Sequence, residues 1–391
     1  MKIKYFVFGG KSIDDSISKK IISQVSALTN LGLNVELIMV KLVNSADISY
    51  PPYNFLTIYP VNKVSTGDFI GRIKRARIIC KIFRETIASL GKNDILYYRY
   101  SAPFPLYFPY QYLKGFRYCK IITEHQTKEV DELKMNGYSL SYFSELFFGK
   151  FFKKQSDAII GVTEEITEYE ITSIGDLNIP HLTLGNGFAV QSVRVRHPPN
   201  HTNNDIHLLC VANVSPWHGL DRIIRGLSTY NGKTRVFLHI AGTGAELTSL
   251  QKLAKDLGIN DRMISHGFLT GKPLDALFDQ CHLAVGSLGI HRIGLSEASI
   301  LKVREYCARG IPFIYGISDP DFPPDFPYIL RFPPDESAID IEKVIAFTKD
   351  ICGDPYHPQK MRCYAENNLD WSVKMKMFKD FLEDLDPLIR K

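Results

Sequence analysis

The chain has 391 residues, 45% of them hydrophobic and 23% charged, and a formal net charge of +5. This composition excludes disordered, collagen-like and coiled-coil proteins, and the length exceeds what one ordinary hydrophobic core fills, so two domains are expected. The longest apolar runs, such as IHLLCVANV, fall short of the ~20 residues a membrane-spanning helix needs, and seven scattered cysteines without a C-x-x-C pair indicate reduced thiols in a cytoplasmic protein rather than disulfides or a zinc site.

Residues 3–8 (IKYFVF) read as a first strand ending at Gly9-Gly10, not as a signal peptide, since no small-residue cleavage site follows. Ile13, Ile17, Ile21, Val25, Leu28 and Leu31 recur at steps of three or four before Gly32, which predicts a helix. NVELIMV is the next strand. From Arg72 to Arg84 the sequence holds six cations, no acid and interleaved isoleucines. The spacing predicts a basic amphipathic helix over 69–87, which suits either an anionic membrane surface or a sheet-packed helix with a charged outer face. The aromatic run YFSELFFGKFFKK that follows at 142–154 carries the same two readings. Further strands are expected at 95–100, 119–124, 157–162 and 181–185.

The polar stretch 187–205, with its Pro-Pro, breaks the rhythm. A second series has strands at 206–213, 235–241, 262–267, 282–287 and 311–315, with helices starting near 218, 244, 272 and 299. A last helix starts near Trp371. Alternation of this kind predicts an α/β protein made of two Rossmann-like, doubly wound parallel-sheet domains facing across a cleft. The expected boundaries are 1–187 for the first domain, 188–205 for a linker, 206–370 for the second domain, and 371–391 for a helix able to cross back to the first.

The segment 294–314, GLSEASILKVREYCARGIPFI, sets Glu297 and Glu305 eight positions apart. Ser296 or Ser299 reads as the N-cap of a short helix, and Gly310-Ile311-Pro312 stops it. Free backbone N–H groups near Ile300 and Leu301 can hold a phosphate, a carboxylate can accept hydrogen bonds from vicinal sugar hydroxyls, and Lys302 can balance phosphate charge. On spacing alone, a surface helix with a Lys-Glu pair fits equally well.

The segment resembles the signature of the retaining GT-B glycosyltransferases of family 4, or glycosyl transferases group 1. In that signature a glutamate, seven residues and a second glutamate precede Ala-x-Gly-x-Pro. Glu297, Glu305, Ala308, Gly310 and Pro312 match it, and ASILKVREYCARGIPF looks like the branch found among bacterial surface-polysaccharide transferases. LLCVANVSPWHGLDRIIRGL, FLHIAGTGAELTSLQKLAKDLGINDRMISHGFL, LTLGNGF and DWSVKMKMFKDFL resemble further elements of the family in the same order.

The resemblance implies that Glu305 holds the ribose and Glu297 the donor sugar of a UDP- or GDP-linked substrate, with no metal. Gly242 and Gly244 at a strand end, and Phe268 and Leu269 in the loop facing the base, join the donor site. Many members flank the loop after the first strand of the second domain with an arginine and a lysine; here those positions are Asn213 and His218. The charge on a departing diphosphate then falls to His218, Lys302, Arg292 and the helix end at Ile300 and Leu301, with Lys302 first. His218 fits helix capping as well, and Arg292 fits a solvated loop.

In the first domain the resemblance carries donor and acceptor contacts to Gly9 and Gly10, and donor-sugar or acceptor contact to His125, which is otherwise a buried structural histidine. Arg99 and Glu124, also at strand ends, are candidates for the acceptor. The expected function is retaining transfer of a sugar to a glycan or lipid-linked glycan, in the cytoplasm or on the inner face of the cell membrane, with residues 69–87 against anionic lipid. No nucleic-acid motif accompanies the basic helix. The rival reading is a noncatalytic sugar-nucleotide-binding or scaffold protein, motivated by the missing cation pair.

Overall fold

The computed structural model describes residues 1–8, 16–43, 53–64, 68–102, 119–135, 137–199 and 205–389. The chain divides into two units, Met1–Gly185 with Trp371–Lys391, and Asn186–Asp370.

In the first unit the strands are β1 (Lys2–Phe8), β2 (Asn34–Val43), β3 (Leu56–Asn62), β4 (Ile95–Arg99), β5 (Lys120–His125), β6 (Ala158–Gly161) and β7 (His181–Thr183). The helices are α1 (Ser16–Asn30), α2 (Phe69–Ala88), α3 (Glu129–Met135), α4 (Ser139–Ser144), α5 (Lys150–Lys153) and α6 (Glu164–Ile174). A π-helical turn, Glu145–Gly149, joins α4 to α5. The strands form one parallel sheet in the order β3-β2-β1-β4-β5-β6-β7, and chain direction across it reverses between β1 and β4.

Strand alternation sends successive residues to opposite faces. Phe6 packs edge-on against Phe83 of α2, with centroids 4.8 Å apart, while Tyr97, from the neighbouring strand, meets Phe378 on the other face at 4.8 Å. Phe378 belongs to the last helix of the chain, which is therefore part of this unit.

The second unit holds β8 (Ile206–Val211), β9 (Val236–Ala241), β10 (Met263–Gly267), β11 (Leu283–Val285), β12 (Phe313–Tyr315) and β13 (Ile329–Arg331). Its helices are α7 (Leu220–Thr229), α8 (Leu247–Asp256), α9 (Gly271–Gln280), α10 (Leu301–Arg309), α11 (Ile341–Cys352) and α12 (His357–Asn368), and α13 (Trp371–Ile389) then rejoins the first unit. The strand order β10-β9-β8-β11-β12-β13 repeats the pattern of the first sheet, with its reversal between β8 and β11. Leu209 and Ala241 face one core with Phe278 and Tyr306, and Leu208, Cys210, Leu238 and Ile240 face another with Ile223 and Leu250.

Two strands escape the sequence reading. β3 carries Pro60, which only an edge strand tolerates because it lacks a ladder donor, and β13 is too short to show a period. The stretch expected as a linker is, up to residue 197, built into the second unit. Val190 is fully buried in its core, Phe188 N–H donates to Leu369 O at 2.8 Å, and the buried Arg196 guanidinium donates to the carbonyls of Gly310 (3.0 Å) and Cys281. An arginine that satisfies carbonyls past a helix end acts as a strut, although its local sequence is polar.

Candidate functional site

In an open parallel sheet, ligands collect at the carboxyl ends of the strands where chain order reverses. In the second unit that point is the loop 212–219 after β8 and the loop after β11. Gly242 and Gly244 make the first loop possible. Both have left-handed φ, +147° and +148°, and a Cβ would stand 1.8 Å from Ala212 O at Gly242 and 2.2 Å from Val214 O at Gly244. The two glycines let the loops after β8 and β9 pack backbone to backbone, with Val214 N–H on Thr243 O at 2.6 Å. Asn213 is exposed on this loop.

His218 closes the loop. Ser215 N–H donates to its Nδ1 at 3.0 Å, which leaves the ring proton on Nε2. Burial and the neighbouring Lys302 ammonium push its pKa down to about 2, so the ring is neutral and Nε2–H is a fixed donor. His218 also completes a capping box with Ser215 on the short turn Pro216–His218, whereas the following helix has Gly219 as its N-cap and no side-chain cap.

Lys302 comes from α10, whose first turn it occupies. Its Nζ is shielded from solvent and makes no hydrogen bond among the described residues. Burial lowers its pKa, with the Cys210 thiol beside it acting in the other direction. The structure thus places an ammonium, without a counterion among the described residues, against a neutral imidazole at the reversal point of the sheet.

The N-cap of α10 is Ile300, with no side-chain cap, rather than Ser296 or Ser299. Ser299 is buried and otherwise engaged. Its hydroxyl accepts from Asn186 N–H at 2.6 Å and its carbonyl from the Asn186 side-chain amide. Leu301 opens the helix, so its N–H and that of Lys302 belong to the turn that lacks intrahelical partners.

Arg304 is fully buried and paired with Asp319 and Asp321, and its Nε donates to Asn186 O at 3.0 Å. This cation of the signature is a strut that ties α10 to Asn186 and to the loop after β12. Sequence reasoning gave it no role, because its two aspartates lie beyond the motif.

Glu305 is partly buried. Its Oε1 accepts from Arg309 Nε at 2.8 Å, and Arg309 is held in turn by Asp275 at 2.6 Å and by the Phe278 ring, 4.4 Å from its guanidinium carbon. The second carboxylate oxygen of Glu305 has no partner among the described residues and is free to accept. Arg309 follows Glu305 by one helical turn, so this clamp was legible in the spacing. Glu297 is half-buried in a one-residue parallel bridge with Ser318. Phe268 is 77% exposed, and Leu269 packs on the core.

Arg292 departs from expectation. It donates twice to Asp221 (2.9 and 2.9 Å), twice to Glu336 (2.9 and 2.5 Å) and once to Pro216 O (2.7 Å). All five guanidinium N–H donors are taken, so nothing remains for a diphosphate. The two acids were distant in sequence, which is why the cation looked available.

In the first unit, Gly9 and Gly10 lie outside the described residues. Glu124 is buried and accepts from the Tyr5 hydroxyl and from Gln24 Nε2 at 3.2 Å, with Lys20 Nζ at 3.5 Å and Arg99 Nη1 at 3.9 Å. Burial acts to raise its pKa, but the two cations and the hydrogen bonds bring it down to about 2. A carboxylate so fully engaged does not serve an acceptor, and Arg99 is partly committed to it.

His125 departs as well, since it is fully buried. Its Nε2 meets Thr123 Oγ1 at 3.1 Å, its ring stacks on Tyr100 at 4.7 Å, and its Nδ1 faces Glu129 and Glu170 at 3.6 and 3.5 Å. Burial disfavours the charged ring, but Glu170 and Glu129 hold its pKa up at about 9. The acids arrive from α3 and α6, which no local pattern around His125 announces.

α2 turns Ala76, Ile79, Ile82, Phe83 and Ile87 into the core, leaving Ile70 and Ile78 exposed. The larger exposed apolar surface is on 138–151, where Tyr138, Leu140, Phe143 and Phe147 are 61%, 60%, 54% and 76% exposed. Among the described residues, no helix is long and apolar enough to cross a membrane.

Residues 194–319 match the family model described as glycosyl transferases group 1. Solved structures similar to the chain include the lipopolysaccharide outer core galactosyltransferase WaaB in its apo form, at TM-score 0.66 and 16% identity over 98% of this chain and 99% of that one. Sucrose-phosphate synthase from Thermosynechococcus elongatus gives 0.71 and 12% over 98% of each chain. Anabaena HepE in complex with UDP gives 0.64 and 12% over 98% and 100%. These likenesses establish the GT-B fold. No curated protein sequence gives a significant match.

Proposed function

We propose that this chain, a GT-B protein with a glycosyl transferases group 1 region, transfers a sugar from a UDP- or GDP-linked donor to a hydroxyl of a lipid-linked glycan, with retention at the anomeric carbon. The observation that carries this reading is the shielded Lys302 Nζ, without a partner among the described residues, beside neutral His218. A buried ammonium without a counterion is costly unless an anion completes it, and a diphosphate is an anion of the right charge. The retention itself, and the lipid-linked acceptor, rest on the family resemblance.

In this mechanism Glu305, clamped by Arg309, accepts hydrogen bonds from the ribose through its free oxygen, and Glu297 orients the donor sugar. Lys302, His218 Nε2–H and the first-turn amides of α10 take up the charge that grows on the diphosphate as the anomeric C–O bond breaks. The acceptor oxygen bonds to the same carbon from the same face, and its proton passes to the departing phosphate oxygen. The charge is offset by side chains and amides, so the step is written without a metal. The exposed aromatics of 138–151, with Lys150 and Lys154 alongside, are assigned to an anionic bilayer surface in place of α2, whose apolar face is spent on the core.

The test is a thermal-shift screen of UDP-, GDP- and ADP-sugars followed by transfer assays with membrane extract as acceptor. A ligand at 100 times its dissociation constant stabilises by about 2.7 kcal/mol, and Glu305→Ala should erase that shift with the fold intact. A shift without turnover on any donor would favour the noncatalytic sugar-nucleotide-binding reading, which the absence of cations at positions 213 and 218 motivates. No shift with any nucleotide sugar would overturn both.

A further inference from the structure

We propose that His125, Glu129 and Glu170 bind one zinc-type divalent cation inside the first unit. The three residues come from the end of β5, the start of α3 and the interior of α6. One ligand atom from each lies within 4.8 Å of the others, and all three residues are buried. His125 Nδ1 and Glu170 Oε1 are shielded from solvent and have no hydrogen-bond partner among the described residues. A nitrogen and two carboxylates converging on one buried point form a donor set for a first-row ion rather than for magnesium or calcium, which take oxygen ligands only.

Geometry and charge agree with this. Nδ1 stands 3.6 Å from Glu129 Oε1 and 3.5 Å from Glu170 Oε1, and neither contact makes a hydrogen bond. Two ligands at ~2.0–2.1 Å from a tetrahedral ion sit about 3.3–3.4 Å apart, so an ion fits the gaps with little adjustment. The surrounding shell holds a third carboxylate, Glu145, and one ammonium, Lys153, which bridges Glu145 at 2.8 Å and Glu170 at 2.7 Å. Once the His125 ring gives up its proton to the ion, three carboxylates against one ammonium leave two negative charges, which a divalent ion cancels. Thr123 Oγ1 on Nε2, at 3.1 Å, orients the ring so that Nδ1 faces the two carboxylates, and an ion binding there displaces the Nδ1 proton. The ion would tie α3 and α6 to the carboxyl end of β5. The inference is independent of the donor-site reading, because its residues and its readout belong to the first unit.

The test uses the full chain, purified without an affinity tag that binds metal. Zinc content is measured after dialysis, then melting temperature after EDTA treatment and after adding back ZnCl2, with MgCl2 as the control. The expected result is close to one zinc per chain and a melting temperature that ZnCl2, but not MgCl2, raises by roughly 5–10 °C at ~100 times the dissociation constant. Glu170→Gln and His125→Gln should lose both, and cobalt loaded into the wild-type chain should show the visible bands of a tetrahedral site. The wild-type measurements stand even if a variant fails to fold. A metal-free wild-type chain with no zinc response would overturn the proposal and leave the cluster balanced by protons. Undiminished zinc binding in both variants would overturn it too, assigning the ion to other histidines.

Discussion

Lys302→Met should strengthen the ligand-free protein while weakening its hold on nucleotide, two effects of opposite sign from one substitution. Methionine keeps the stem length and removes a charge whose Nζ is shielded and makes no hydrogen bond among the described residues. Burial is what lowers the lysine's pKa, so the empty site carries an uncompensated desolvation cost of about 1–3 kcal/mol. Its release should raise the melting temperature by roughly 3–10 °C in a unit of this size. With a diphosphate at ~4 Å, the same ammonium contributes between about 1 and 4 kcal/mol, depending on whether the effective dielectric is that of water or near 20. A loss of ~2–3 kcal/mol, roughly 30- to 150-fold in dissociation constant, is expected. Differential scanning calorimetry of the free chain and titration calorimetry with UDP and GDP read the two effects separately. A lower melting temperature in the variant would make Lys302 a structural residue, and unchanged nucleotide affinity would remove it from the donor site.

Arg292→Met should do the reverse, costing about 1–2 kcal/mol of stability, chiefly through the partly buried Asp221, since Glu336 is exposed to solvent, while leaving the nucleotide dissociation constant within about twofold; urea unfolding and calorimetry would check this. Arg309→Met frees Glu305 from its 2.8 Å clamp and should raise the donor KM roughly tenfold, with a smaller change in kcat; equal loss in both would place Arg309 at the transition state instead. For His218 the folded pKa of about 2 lies far below the unfolded value of ~6.5. The unfolded chain therefore gains a proton that the fold refuses, and stability is lost as pH falls below ~6.5, by up to about 1.4 kcal/mol per pH unit. His218→Gln should flatten the urea midpoint between about pH 6.5 and 4.5, and parallel profiles for the two proteins would count against a buried neutral ring.

The sequence by itself determined the architecture, because the information lay in short periods. Strand runs such as IKYFVF and IHLLCV are buried on both faces and read as apolar throughout, and the helix that carries Glu305 ends at Gly310 as local rules of spacing require, although its N-cap is Ile300 rather than a serine. The clamp of Arg309 on Glu305 belongs to the same class, one helical turn apart. What only the tertiary structure decided was which charges are spent. Arg292, Arg304 and Lys302 look alike along the chain, yet Asp221 and Glu336 consume the first, Asp319 and Asp321 the second, and nothing among the described residues consumes the third. Likewise His125 and Glu124 end a strand as expected, but Glu170, Glu129, Tyr5 and Lys20 reach them from other elements and turn them inward. An ion pair needs two partners within a few ångströms, and a linear order of residues does not encode that distance when the partners come from separate elements of a folded sheet.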